Sequence, residues 1–120
     1  MPQIILLVRF RLQSGGSDKE LFKQHLIDLF NTLAEEPAFV NAIIHENLNH
    51  PTEFMVYEIW NKERDQFLIE EMTKPYRKFY ENVLIELGIE REVDWLVPVA
   101  EWGSTLTDAS SIPPKLDPSP

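Results

Sequence analysis

Glu53 to Trp60 reads EFMVYEIW, and its alternation decides the fold. The even positions carry Phe54, Val56, Glu58 and Trp60 and the odd ones Met55, Tyr57 and Ile59, so a strand here shows two largely apolar faces. Both faces need cover. In a chain of 120 residues helices can supply one side, and the other calls for a second sheet or a second subunit.

Composition narrows the class. At 43% hydrophobic and 26% charged residues the chain is globular rather than disordered, and 120 residues suffice for one domain with its own core. A net charge of −9 argues against a duplex nucleic acid partner, which is gripped by clustered Lys and Arg, and against an anionic membrane surface. No apolar run approaches the roughly 20 residues of a membrane span. The absence of Cys removes disulfides, thiol nucleophiles and thiolate metal sites. The opening MPQIILLVRF lacks the basic start and cleavage site of a signal peptide and reads as a strand, so a cytoplasmic location is expected.

Working outward, Asn49-His50-Pro51-Thr52 predicts a turn that joins Glu53–Trp60 to a strand over Phe39–Leu48. Ile4 to Leu12 alternates with Ile4, Leu6, Val8, Phe10 and Leu12 on a core face, and Ile5, Leu7, Arg9 and Arg11 opposite. Between these strands Ser17 caps a predicted helix, with Glu20 completing a capping box, and Phe22, Leu26, Leu29 and Leu33 recur at helical spacing. After Trp60, Asn61 is the expected cap of a helix through Glu71. Pro75 restarts it, and a stripe of Tyr76, Phe79, Tyr80, Val83, Leu84 and Leu87 runs to Gly88. Val93 to Trp102 alternates as a last strand, with Pro98 confining it to an edge. Residues 1–102 form the expected domain, and 103–120, rich in Pro, an extended or flexible tail.

The order strand, helix, strand, strand, helix, strand, with short right-handed crossovers, predicts an α+β ferredoxin-like fold: a four-stranded antiparallel sheet with both helices on one face. The first and third strands are then central. Their uncovered apolar face predicts a two-fold homodimer, sheet against sheet, enclosing a barrel-like interior.

From Gln3 to Trp102 the chain resembles the antibiotic biosynthesis monooxygenase family. The resemblance is carried by Glu58-Ile59-Trp60 ending the third strand, the preceding Asn47-Leu48-Asn49-His50-Pro51-Thr52-Glu53-Phe54, and the following helix with its restart at Pro75. It implies a dimeric α+β barrel, a ligand pocket between sheet and helices, a small aromatic ligand, and O2 chemistry without a cofactor. Two departures bear on activity: where relatives often carry His in and after the helix following Trp60, this sequence has Glu71 and Tyr76. The residues of the haem-degrading branch are also missing, since Phe10, Glu71 and Glu81 stand near those places.

Seven residues are candidates for chemistry or binding. Glu58 interrupts an apolar alternation, so it is either ion-paired with Arg9 and Arg11 or a general base tuned by burial. His45 is a surface imidazole or a proton acceptor beside the amide of Asn41. Trp60 is core or a stacking platform, and Tyr76 and Tyr80, one turn apart, are core or phenolic donors to a ligand. Phe10 belongs to the core face and, if a pocket exists, to its lining. No metal-binding spacing involves His45 or His50.

Two readings follow. In one the protein is a cofactor-independent monooxygenase of a phenol or quinol, with His45 and Glu58 catalytic and Trp60, Tyr76, Tyr80, Phe10 and Asn41 around the ring. In the other it is a non-catalytic dimeric barrel that binds a small molecule or serves as a stress-related protein.

Overall fold

The computed structural model describes residues 3–13 and 15–103. The chain runs β1 (Ile4–Arg11), α1 (Ser17–Leu33), β2 (Phe39–Asn47), β3 (His50–Trp60), α2 (Arg64–Glu70), α3 (Pro75–Leu87) and β4 (Glu90–Leu96). The strands form one antiparallel sheet in the order β2-β3-β1-β4, so β1 and β3 are central and the fold is α+β, ferredoxin-like, as expected from the sequence. The expected tail lies outside the described residues, Gly103 apart.

Register explains which side chains meet the helices. Leu6 pairs with Glu58, Val8 with Val56 and Phe10 with Phe54, while on the other side of β1 Leu6 pairs with Trp95 and Val8 with Val93. These residues share one face, against which α1 packs Phe22, Leu26, Leu29 and Leu33 and α3 packs Val83 and Leu84. The Phe22 ring stands edge-on to Phe10 at 5.1 Å and tilted against Phe54 at 6.0 Å. Large apolar side chains of this kind each gain about 1.5–3 kcal/mol on burial, so this interface is the main source of stability.

Local details differ from the sequence reading. α1 is capped by Gly16, whose φ of 70° favours glycine, and not by the Ser17 side chain. α2 is capped by Glu63, whose N–H donates to Gln66 Oε1, while Asn61 Oδ1 accepts from Gln3 Nε2 at 2.7 Å. Both expected caps are thus displaced by one or two residues. β4 begins at Glu90 and ends before Pro98, because its ladder to β1 runs from Glu90–Arg11 to Leu96–Ile5 and a Pro has no N–H to extend it. Phe79 is exposed, standing against His25 at the helix border instead of in the core stripe. α3 does end on Gly88, at φ 64°, the left-handed cap expected there.

The opposite face of the sheet carries Ile5, Leu7, Arg9 and Arg11, faced across β3 by Ile59, Tyr57, Met55 and Glu53. It is not bare. Ile5 and Ile59 are buried, and Glu101, beyond β4, lies near enough to Tyr57 to add to the upward pKa shift that burial gives its phenol. Leu7, Met55 and Tyr57 are half-buried and Ile43 on β2 is exposed, leaving an apolar centre without helices over it.

Candidate functional site

Between the sheet and the helices lies a cavity of about 250 Å³. Its floor is Leu6, Val8 and Phe10 of β1 with Val93 and Trp95 of β4, and its roof comes from α1, α2 and α3. A dry cavity of about 150 Å³ already holds benzene, so this one accommodates a substituted aromatic ring. Its lining is mostly apolar with a few polar groups, the usual make-up of a small-molecule site.

Four charged residues line it, in two pairs at opposite ends of β1. Glu58 sits across from Leu6, and Arg91 across from Phe10, four residues along, or about 13 Å at strand rise. Arg91 Nη1 is ion-paired with Glu81, and both are partly exposed, which puts this pair at the mouth. Glu58 and Arg77 are buried and form the inner end.

Glu58 is 4% exposed. Its Oε1 accepts a hydrogen bond from Trp60 Nε1 at 2.8 Å. Two residues apart on β3, the side chains share a face, so the bond follows from the strand period. Burial pushes the Glu58 carboxyl up from its ordinary pKa, against the opposing influence of the Trp60 bond and of the Arg77 charge. A carboxyl so placed holds its proton more tightly than a free one does. The expected partnership with Arg9 and Arg11 is corrected: odd positions of β1 face away from Glu58, and both arginines instead meet Glu53 and Glu92.

Arg77 is 9% exposed, and its guanidinium lies over the Phe67 ring at 5.5 Å. Among the described residues its Nε and Nη2 have no hydrogen-bond acceptor. A buried charge costs several kcal/mol to desolvate, and a ring contact returns about 2 kcal/mol, so Arg77 is left under-compensated. Sequence reading passed over it. The available signal was a basic residue in the apolar spacing Arg77, Tyr80, Leu84 of α3.

The other sequence candidates divide. Phe10 and Tyr80 line the cavity with Glu58. The Tyr80 phenol is held above its ordinary pKa by burial and by Asp28 of α1. Trp60 is fully buried between Phe39 and Phe67, at ring distances of 5.3 and 5.1 Å, and supports Glu58 from behind. Tyr76 turns away from the cavity, and its hydroxyl donates to Glu36 Oε1 at 3.1 Å. That carboxylate also pairs with Lys74, and Lys74 and Lys62 both pair with Glu71. Glu71, which stands where relatives often carry His, is 2% exposed within this cluster. His45 and Asn41 lie on the far face of the sheet, where His45 Nδ1 is 3.1 Å from the Met55 carbonyl oxygen. The sheet therefore separates His45 and Asn41 from Glu58, Phe10 and Tyr80. Among the described residues no three acidic or imidazole side chains converge as a metal would need, and no helix is long and apolar enough to cross a membrane.

No protein-family model and no curated protein matches the chain in sequence. In structure it is similar to SnoaB, a cofactor-independent oxygenase from Streptomyces nogalater, with a TM-score of 0.70 and 14% identity over 84% of this chain and 97% of that one. A candidate antibiotic biosynthesis monooxygenase from Caulobacter crescentus CB15 superposes with a TM-score of 0.70 and 15% identity, over 82% of this chain and 91% of that one. Rv0793 from Mycobacterium tuberculosis gives 0.69 and 17%, over 82% and 97%. At these identities the likeness shows the fold.

Proposed function

We propose that the protein is a cofactor-independent monooxygenase acting on a single-ring phenol or quinol held in the cavity between sheet and helices. The observation that carries this reading is Glu58: a buried carboxyl with a raised pKa, fixed by Trp60 and lining an apolar cavity of aromatic size. The likeness of fold to a cofactor-independent oxygenase supports the same class of chemistry.

In this reading Glu58, as carboxylate, takes the phenolic proton. The electron-rich phenolate passes one electron to O2, and the resulting radical pair combines to form a ring carbon–oxygen bond. Glu58 passes the phenolic proton to the outer oxygen of the peroxide so formed and, again a carboxylate, removes the proton from that carbon as the O–O bond breaks. One oxygen atom stays as a carbonyl, the other leaves as hydroxide and takes the proton to become water. The substrate supplies all four electrons, so a phenol and O2 give a quinone and H2O. Positioning falls to Phe10, Tyr80 and Trp95, whose rings bound the cavity. Because His45 and Asn41 are across the sheet, Glu58 takes the proton-acceptor role expected of His45 from the sequence, where Glu58 was expected to orient.

The same reading includes a homodimer through the far face of the sheet. Its support is the half-buried centre of Leu7, Met55 and Tyr57 beside exposed Ile43, which a second copy would cover. Oxygen consumption by the purified protein with hydroquinones and phenols, with Glu58→Gln as the comparison, tests the activity. Turnover by wild type and loss in the variant is the expected outcome, and equal rates in the two would refute Glu58 as the base.

A further inference from the structure

Arg77 differs from the other arginines of this chain. Arg9, Arg11, Arg64 and Arg91 each have a carboxylate within 4.0 Å, and Arg77, the most buried of the five, has none among the described residues. Its two unpartnered donors are Nε and Nη2. These atoms lie along one edge of the planar guanidinium, with parallel N–H bonds, the geometry that matches the two oxygens of a carboxylate. Phe67 occupies a face of the group and leaves that edge uncommitted.

We propose that the ligand of this cavity is a single-ring carboxylic acid whose carboxylate seats on the Nε–Nη2 edge of Arg77 while its ring lies among Leu6, Val8, Trp95 and Leu84. The proposal rests on the reading of the cavity as the substrate site and adds the substrate class: a phenol or quinol whose ring also carries a carboxylate. A volume of about 250 Å³ takes one ring with its carboxyl group. The apolar floor excludes a bare inorganic anion as the preferred guest, since such an anion would lose its hydration with only Arg77 in return. Glu58 at the same inner end feels the Arg77 charge as well, so removing the Glu58 charge would leave more of it for a ligand carboxylate. An aromatic acid also anchors its ring at a fixed distance from Glu58, which a free phenol in an apolar cavity does not.

The experiment is calorimetric titration of the whole protein with benzoate, benzamide, acetate and inorganic phosphate at one pH and ionic strength. Benzoate is expected to bind at least tenfold more tightly than benzamide, acetate or phosphate. Arg77→Met is expected to abolish that preference and Arg77→Lys to keep part of it, while Glu58→Gln binds benzoate at least as tightly as wild type. Benzamide or acetate matching benzoate on the wild-type protein would overturn the proposal, whether or not the Arg77 variants fold. A folded Arg77→Met that retained the benzoate preference would overturn it as well. Oxygen uptake with hydroquinone and with 2,5-dihydroxybenzoate separates the two claims: if neither is consumed while benzoate binds, the oxygenase reading fails and the acid site stands.

Discussion

Trp60 Nε1 donates to Glu58 Oε1 at 2.8 Å, and both residues are buried in the central strand β3. One residue is bulk of the core and the other a buried carboxyl facing a cavity, so the pair joins the stability of the fold to its chemistry.

Because the folded-state pKa of Glu58 is raised, the native protein binds a proton there more tightly than the unfolded chain does. Its contribution favours folding while the carboxyl is protonated, and it declines as pH rises from the unfolded value towards the higher folded one. Glu58→Gln keeps an acceptor for Trp60 and removes the titration. Urea unfolding across this window should show a smaller fall in stability with rising pH for the variant than for wild type. Parallel curves would mean that Glu58 is not perturbed by burial.

Trp60→Phe removes the donor and leaves the buried carboxyl without that bond, at an expected cost of roughly 1–3 kcal/mol in unfolding free energy. The double variant with Glu58→Gln should cost less than the sum of the single changes, since the residues are in contact. Additive costs would count against a coupled pair.

How far the sequence could go is clear at the same two residues. The alternation of Glu53–Trp60 fixes the central strand, its two faces and the burial of Glu58, because strand period depends only on local order. The partner of Glu58 depends on register: in the antiparallel pairing Glu58 meets Leu6, which puts Arg9 and Arg11 on the other face. For the same reason strand alternation alone leaves the face of His45 open, and register sets it opposite Met55, away from the cavity. The hydroxyl of Tyr76 and the carboxylate of Glu71 are engaged by Glu36, Lys62 and Lys74, and the meeting of Glu36 with Lys74 across 38 residues has no local signature. Arg77 was legible as a basic residue in an apolar stripe. Its lack of a partner required coordinates.

His45→Ala is expected to leave ligand binding in the cavity and any oxygen uptake within about twofold of wild type, a change below 0.5 kcal/mol. Its ring is on the far face, 3.1 Å from the Met55 carbonyl oxygen. A loss of activity of tenfold or more, with binding intact, would return His45 to the catalytic role.

Association through the far face is expected to give a particle of twice 14.0 kDa in light scattering. Leu7→Asp places an unpaired charge in the centre of that face and should yield the monomer. Wild type that already runs as a monomer at micromolar concentration would contradict the dimer.

The most direct test of the central claim is oxygen uptake by the wild-type protein with single-ring quinols and phenols, measured beside Glu58→Gln at the same pH. The account predicts consumption of one O2 per quinone formed in wild type, a rate that rises as Glu58 ionises, and a fall of at least 100-fold in the variant. No uptake above the uncatalysed rate with any substrate that binds, or equal rates in the two proteins, would contradict it.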